Sequence, residues 1–298
     1  MNLASRDYLN PSIIKKIDNL SLRAKLVVEG FIVGLHKSPY HGFSIEFSEH
    51  RPYTFGDEIK FIDWKLLAKT DKLYIKQFEE ETNLKSYILF DKSSSMSYGS
   101  SDITKFEYAK TISACLSYLM IKQQDAVGLT TFDKKINISI PPKSKISHLN
   151  YLLKVLNNTK IEGETKISYI LHSLAESIRK RGLIILISDL MDDPEDVLKG
   201  LRHFRYKGHE VMVFHIIDDK EIKFDFNSPI NFIDLENKKM IKTDPRQIKV
   251  EYKKSFNLFC EKYKKECNKN NIDYIPINTS YSIDKTLIQY IIKRSKLG

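Results

Sequence analysis

At 298 residues, 42% of them hydrophobic and 29% charged, the chain can bury a large core and is too apolar for a disordered tail. Forty-eight Lys+Arg against 38 Asp+Glu give a net charge of +10, which invites an anionic partner without choosing among nucleic acid, a membrane surface and an acidic protein. Apolar runs such as Leu183 to Ile187 and Val211 to Ile217 are far shorter than the ~20 residues that cross a bilayer, so no membrane insertion is expected.

From Pro11 onward, Ile13, Ile14, Ile17, Leu20, Ala24, Val27, Val28 and Phe31 recur at intervals of mostly three and four residues. That spacing predicts one or two amphipathic helices, with Pro11 in a first turn and a stop near Gly34 and Ser38-Pro39. Between Tyr40 and Glu80 the texture changes. Phe43, Ile45 and Phe47 alternate with polar residues, Phe55-Gly56-Asp57 reads as a turn, and Leu73, Ile75 and Gln77 share one side of a short strand. A short helix over Trp64 to Ala68 is expected inside this segment.

From Lys85 onward strands and helices alternate. Strands are predicted over Ser86 to Phe90, Ala126 to Phe132, Lys135 to Ile140, Leu183 to Ser188, Glu210 to Ile217 and Ile272 to Asn278. Helices are predicted over Lys105 to Lys122, His148 to Asn157, Ile167 to Arg181, Pro194 to Tyr206, Pro245 to Asn271 and Asp284 to Lys296. Such alternation implies crossovers and a doubly wound, mostly parallel α/β sheet with helices on both faces. Only Asp133 and Lys134 separate Lys135 to Ile140 from the strand before it, which makes it an antiparallel hairpin partner. The chain therefore reads as an N-terminal helical and β-rich segment over 1–80 and a doubly wound unit over 81–298.

The chemistry gathers at strand ends. Asp91-Lys92-Ser93-Ser94-Ser95-Met96 follows the strand Ser86 to Phe90 at once, Thr165 sits just ahead of a helix, and Asp189 follows Leu183 to Ser188. Open α/β sheets bind ligands at the carboxyl ends of their strands. Asp91, Ser93, Ser95, Thr165 and Asp189 are five oxygen donors from three loops, with no His or Cys among them, which suits a hard cation such as Mg²⁺ or Mn²⁺. The hydroxyls ligate without adding charge and leave the ion electrophilic toward an outside carboxylate. Each residue also has an ordinary structural reading, since Ser and Asp are common in turns and caps. Asp192 and Asp193 beside Pro194 are better placed than Asp189 to cap the following helix.

These residues resemble the metal-ion-dependent adhesion site, or MIDAS, of von Willebrand factor A domains. Arg51-Pro52-Tyr53 through Gly56-Asp57 to Ile62-Asp63-Trp64, with Phe78-Glu79-Glu80 leading into the Asp91 strand, resembles the family called domain of unknown function 58. His41-Gly42-Phe43, Gln123-Gln124-Asp125-Ala126-Val127-Gly128 and Ser188-Asp189-Leu190 extend the similarity along most of the chain. The resemblance implies a cytoplasmic, non-catalytic protein-interaction module that binds magnesium and pairs with a MoxR-type AAA+ ATPase. One position departs from the pattern, because Lys166 follows the threonine where similar sites often carry an acid.

Other readings are narrower. A metal-dependent phosphohydrolase would use the same ion on a phosphate, but Asp91-x-Ser93 lacks the second carboxylate of an Asp-x-Asp loop, and no general acid or base is evident. A basic nucleic-acid-binding protein would explain the charge, yet no reader motif supports nucleic acid as the partner. No Gly-x-x-x-x-Gly-Lys loop or Gly-x-Ser-x-Gly elbow occurs. Three cysteines, an odd number, fit a reducing compartment, and the seven-residue spacing of Cys260 and Cys267 is that of one helix face rather than of a zinc site. His215, inside an apolar strand, reads as a core residue, and Lys253-Lys254 and Lys262 to Lys265 as a solvated helix face. Asp57, Asp63 and Trp64 are candidates for a partner surface, with a turn and a core plug as their structural roles.

Overall fold

The computed structural model describes residues 11–36, 50–52, 67, 73–76, 84–163, 166–226, 228–235 and 239–294. Most of the 40–80 segment falls outside them, including His41-Gly42-Phe43, the Phe43 to Phe47 alternation, Asp57, Asp63, Trp64 and Phe78-Glu79-Glu80.

Two helices open the described chain, α1 (Pro11–Ile14) and α2 (Leu20–His36). Asn19 separates them and starts the second, its Oδ1 accepting from the N–H groups of Ser21 and Leu22 at 3.0 and 3.1 Å. Strands β1 (His50–Pro52) and β2 (Tyr74–Lys76) pair antiparallel. The large sheet begins with β3 (Lys85–Asp91), followed by α3 (Lys105–Lys122), β4 (Ala126–Phe132), β5 (Ile136–Lys143), α4 (Ile146–Asn158) and α5 (Ile167–Ser177). It continues through β6 (Leu183–Ser188), α6 (Pro194–Tyr206), β7 (Glu210–Ile217) and the short α7 (Asp219–Lys223). A separate hairpin, β8 (Ile230–Ile233) and β9 (Met240–Thr243), precedes α8 (Pro245–Lys269), β10 (Asp273–Asn278) and α9 (Ile283–Arg294).

Spatially the sheet runs β10-β7-β6-β3-β4-β5, parallel throughout except for β5, which returns antiparallel to β4 as its short connection requires. Winding starts at β3 and proceeds outward on one side, then restarts at β6 and proceeds outward on the other. The boundary between β3 and β6 is therefore the topological switch point, where the chain leaving one strand turns to one face of the sheet and the chain leaving the other turns to the opposite face.

Both faces are covered. Leu20, Ala24, Val27, Val28 and Phe31 of α2 join one core with α3, α4, α9 and the near face of the sheet. Ile167, Leu171 and Leu174 of α5, Val197, Leu201 and Phe204 of α6, and Tyr263 and Cys267 of α8 form the other. Strand β6 lies between the two cores, and all six of its residues are buried. Each such Leu or Ile contributes roughly 1.5–3 kcal/mol relative to exposure. Helix α3 is buried around most of its circumference, and its buried Ser113 and Ser117 hydroxyls donate back to the carbonyls of Ala109 and Ser113 at 2.8 Å.

Helix α5 is four residues shorter than its periodicity predicts. Instead of reaching Arg181, α5 stops at Ser177 and Ile178 turns extended, its N–H still bonded to Leu174 O at 2.9 Å. The apolar Ile178 continues the helical spacing but packs from the loop against the α5–α6 core. Asp193, rather than Asp189, caps α6, accepting from Glu195 N at 2.8 Å and Asp196 N at 3.3 Å.

Candidate metal centre

Asp91 is the last residue of β3 and Ser188 the last of β6, two strands in direct parallel register. Ser188 Oγ donates to Asp91 Oδ2 at 2.6 Å, and Ser93 N donates to Asp91 Oδ1 at 2.9 Å. Both partners are neutral, and Asp91 is fully buried. Burial first, and the neighbouring Asp189 carboxylate second, push Asp91 up to about 7. The chain after Asp91 tightens into a 3₁₀ turn over Ser94–Ser97. That turn brings Ser93 Oγ within 3.0 Å of Ser95 Oγ, and Ser95 Oγ donates to Asp189 Oδ1 at 3.3 Å. Asp91, Ser93, Ser95 and Asp189 thus converge at the switch point.

Thr165 lies outside the described residues, but the loop before it is tied to the Asp91 loop. Ser94 N donates to Gly163 O at 3.0 Å and Glu162 N to Lys92 O at 3.1 Å. The Lys92 ammonium, buried, lies 3.1 Å from Asp133 Oδ2 and 3.2 Å from Glu162 Oε2. Gly163 has φ +79°, and a Cβ there would stand 3.2 Å from Asp133 Cγ, so glycine fits both the left-handed backbone and the close approach. Lys166 is exposed, as a lysine that does not enter the site should be.

Three contributors escaped the sequence reading. Lys105, at the first position of α3, is buried, and its Nζ lies 2.7 Å from Asp189 Oδ2 and 2.8 Å from Glu221 Oε1. Burial opposes its charge, but Asp189 and Glu221 outweigh that and hold the ammonium above its ordinary value. Glu221 is fixed by its place in the capping box of α7, where its Oε2 accepts from Asp218 N at 2.7 Å. Ser188 was visible only as a strand end. The available signal for Lys105 was a lysine in the first turn of a helix, where the macrodipole disfavours it.

His215 is a satisfied core residue, with Nδ1 2.6 Å from the Tyr274 hydroxyl and burial pushing its imidazole down to about 4. Cys115, Cys260 and Cys267 are free thiols. Lys253, Lys254, Lys264 and Lys265 line the exposed side of α8.

Among the described residues no cluster of three or more His, Cys, Asp or Glu side chains is arranged to hold a metal ion. Any ion here must therefore rely on hydroxyls beside its two carboxylates. Two carboxylates and two hydroxyls joined by a chain of hydrogen bonds from Asp91 through Ser93 and Ser95 to Asp189 suit Mg²⁺ or Mn²⁺ and do not suit a soft ion. The buried Asp91, with only neutral groups as its hydrogen-bond partners, is the feature that such a cation would complement.

Strand order and the antiparallel edge strand β5 define a doubly wound, mostly parallel α/β domain with an Asp-x-Ser-x-Ser loop at its switch point. The family described as "Protein of unknown function DUF58" matches residues 49–258. The chain belongs to that family. It is 22% identical over 222 residues to the uncharacterized protein Rv1480 of Mycobacterium tuberculosis, covering 73% of this chain and 69% of that protein. It is 26% identical over 145 residues to the uncharacterized protein YeaD of Bacillus subtilis, covering 48% of this chain and 34% of that one. Among solved structures it is similar to BatB from Bacteroides thetaiotaomicron, with a TM-score of 0.49, 17% identity and coverage of 72% of this chain and 99% of the other. It is also similar to the SpRpn10 VWA domain, with a TM-score of 0.42, 14% identity and coverage of 69% and 94%. Among the described residues no helix is long and apolar enough to cross a membrane.

Proposed function

We propose that the protein is a non-catalytic protein-binding module in which Asp91, Ser93, Ser95, Thr165 and Asp189 hold Mg²⁺ or Mn²⁺, directly or through water. An acidic side chain of a protein partner completes the coordination shell. The observation that carries this reading is the all-oxygen cluster at the β3–β6 switch point, built around a buried Asp91 whose hydrogen-bond partners are neutral. An ion there would stay electrophilic, because three of the five donors, Ser93, Ser95 and Thr165, add no charge. The chain's own residues hold that centre in place and limit water access from below, where Phe90, Met96 and Ile187 are buried.

The partner in this reading is an acidic protein, and family resemblance makes a MoxR-type AAA+ ATPase the first candidate. The +10 charge assists by steering an acidic surface toward the site. A cytoplasmic setting accords with the three free thiols.

Affinity capture from native lysate in Mg²⁺ and in EDTA, using wild type and Asp91→Ala, tests the mechanism. Partner recovery should require both Mg²⁺ and Asp91. A folded Asp91→Ala protein that captures the same partners with unchanged affinity would show the metal-bridged mechanism to be wrong.

A further inference from the structure

We infer that Lys105 is a built-in countercation that sets the charge of the ion site and points one oxygen of Asp189 into it. Lys105 is a positioning residue and not a ligand, and the inference rests on the metal reading above.

Its placement runs against two ordinary preferences. An ammonium in the first turn of a helix faces the positive end of the macrodipole, and a buried ammonium loses its hydration. Lys105 does both at 1% exposure. Asp189 Oδ2 at 2.7 Å and Glu221 Oε1 at 2.8 Å compensate it from two sides.

The two oxygens of Asp189 consequently have separate duties. Oδ2 is taken by the ammonium, while Oδ1 faces Ser95 Oγ at 3.3 Å and accepts from Met191 N at 3.3 Å. Glu221 cannot easily drift, because its second oxygen closes the capping box of α7. The Tyr98 ring, with its centroid 5.8 Å from Nζ, covers the ammonium from another side. The ammonium is thus fixed, and through it the orientation of Asp189.

Charge follows from the same contacts. Asp189 and Glu221 both contact the ammonium, and Asp91, linked to Asp189 through Ser93 and Ser95, adds a third carboxylate once ionised, so a divalent cation brings the group to neutrality. Without Lys105 the same ion would meet one more negative charge than it can balance. It would bind more tightly and keep less positive charge for an outside carboxylate. Lys105 therefore trades ion affinity for electrophilicity.

A charge series in the full chain tests this, with Mg²⁺ followed by calorimetry and Mn²⁺ by electron paramagnetic resonance. Lys105→Met should bind both ions more tightly, on the order of tenfold, because a unit charge is removed within a few ångströms of a divalent ion. Glu221→Gln should bind them more weakly by a similar factor. The double variant Lys105→Met/Glu221→Gln restores the net charge and should return close to wild type. A purely structural lysine predicts no gain, since Lys105→Met would be less stable and bind ions no better.

Lys105→Met affinity equal to or below wild type overturns the inference while leaving the metal reading intact. If Lys105→Met fails to fold, Glu221→Gln alone decides, and unchanged or tighter binding by that variant overturns it. A folded wild type that binds neither ion overturns the metal reading, and this inference with it.

Discussion

At the residue scale the candidate site depends on side chains outside the proposed donor set. Lys92 is buried between Asp133 and Glu162, and with Gly163 it locks the loop ahead of Thr165 to the loop after Asp91. Gly163→Ala forces an L side chain into a left-handed backbone conformation, at a cost of about 1–2 kcal/mol, and brings it against Asp133. The variant should unfold at lower denaturant concentration and bind Mg²⁺ more weakly than wild type. An unchanged Mg²⁺ affinity would separate this loop from the site. Asp91, Ser93, Ser95 and Asp189 could be read from the sequence because each adjoins a strand end that local patterning locates. Lys105 could not, since its partners lie 84 and 116 residues away and only the folded chain brings them together.

At the element scale, the central strands were legible because both their faces are buried and their sequences are continuous apolar runs. Strands β4, β6 and β7 begin and end where the pattern places them. The β8–β9 hairpin was not legible. Its strands are four residues each, and although β8 alternates half-buried and exposed positions, β9 leaves Met240 and Ile241 exposed, so the pair is too short and too open to show a strand pattern. Helix α7, at five residues, is too short to show a period, although its capping box is encoded in Asp218 and Glu221. The sheet has two edges, and both hold proline, with Pro141 and Pro142 in β5 and Pro276 in β10. Proline offers no N–H to an added strand, which guards an edge against pairing with another chain. Pro276→Val should therefore associate more strongly than wild type at equal concentration in sedimentation velocity. Identical profiles would mean that other features protect this edge.

At the scale of the whole molecule, the two cores lie on opposite faces of the sheet, and the candidate centre sits at the carboxyl ends of β3 and β6 between them. The loops from β3 and β6 that form it are anchored in buried strands, so the donors are held before any ion arrives. Lys105 connects this centre to α3 beneath it and to α7 beside it. In the proposed reading the net charge of +10, the most conspicuous property of the composition, plays a steering part, whereas Asp91, Asp189, Glu221 and Lys105 select the ion. An ion that binds only the folded state stabilises it by mass action, by about 2.7 kcal/mol at a hundred times its dissociation constant. The most direct measurement is thermal unfolding of wild type and Asp91→Ala over a Mg²⁺ titration. The wild-type midpoint should rise with Mg²⁺ and fall back on adding EDTA, while Asp91→Ala stays flat. Equal shifts in the two proteins, or no shift in wild type at millimolar Mg²⁺, would contradict a divalent cation held by Asp91.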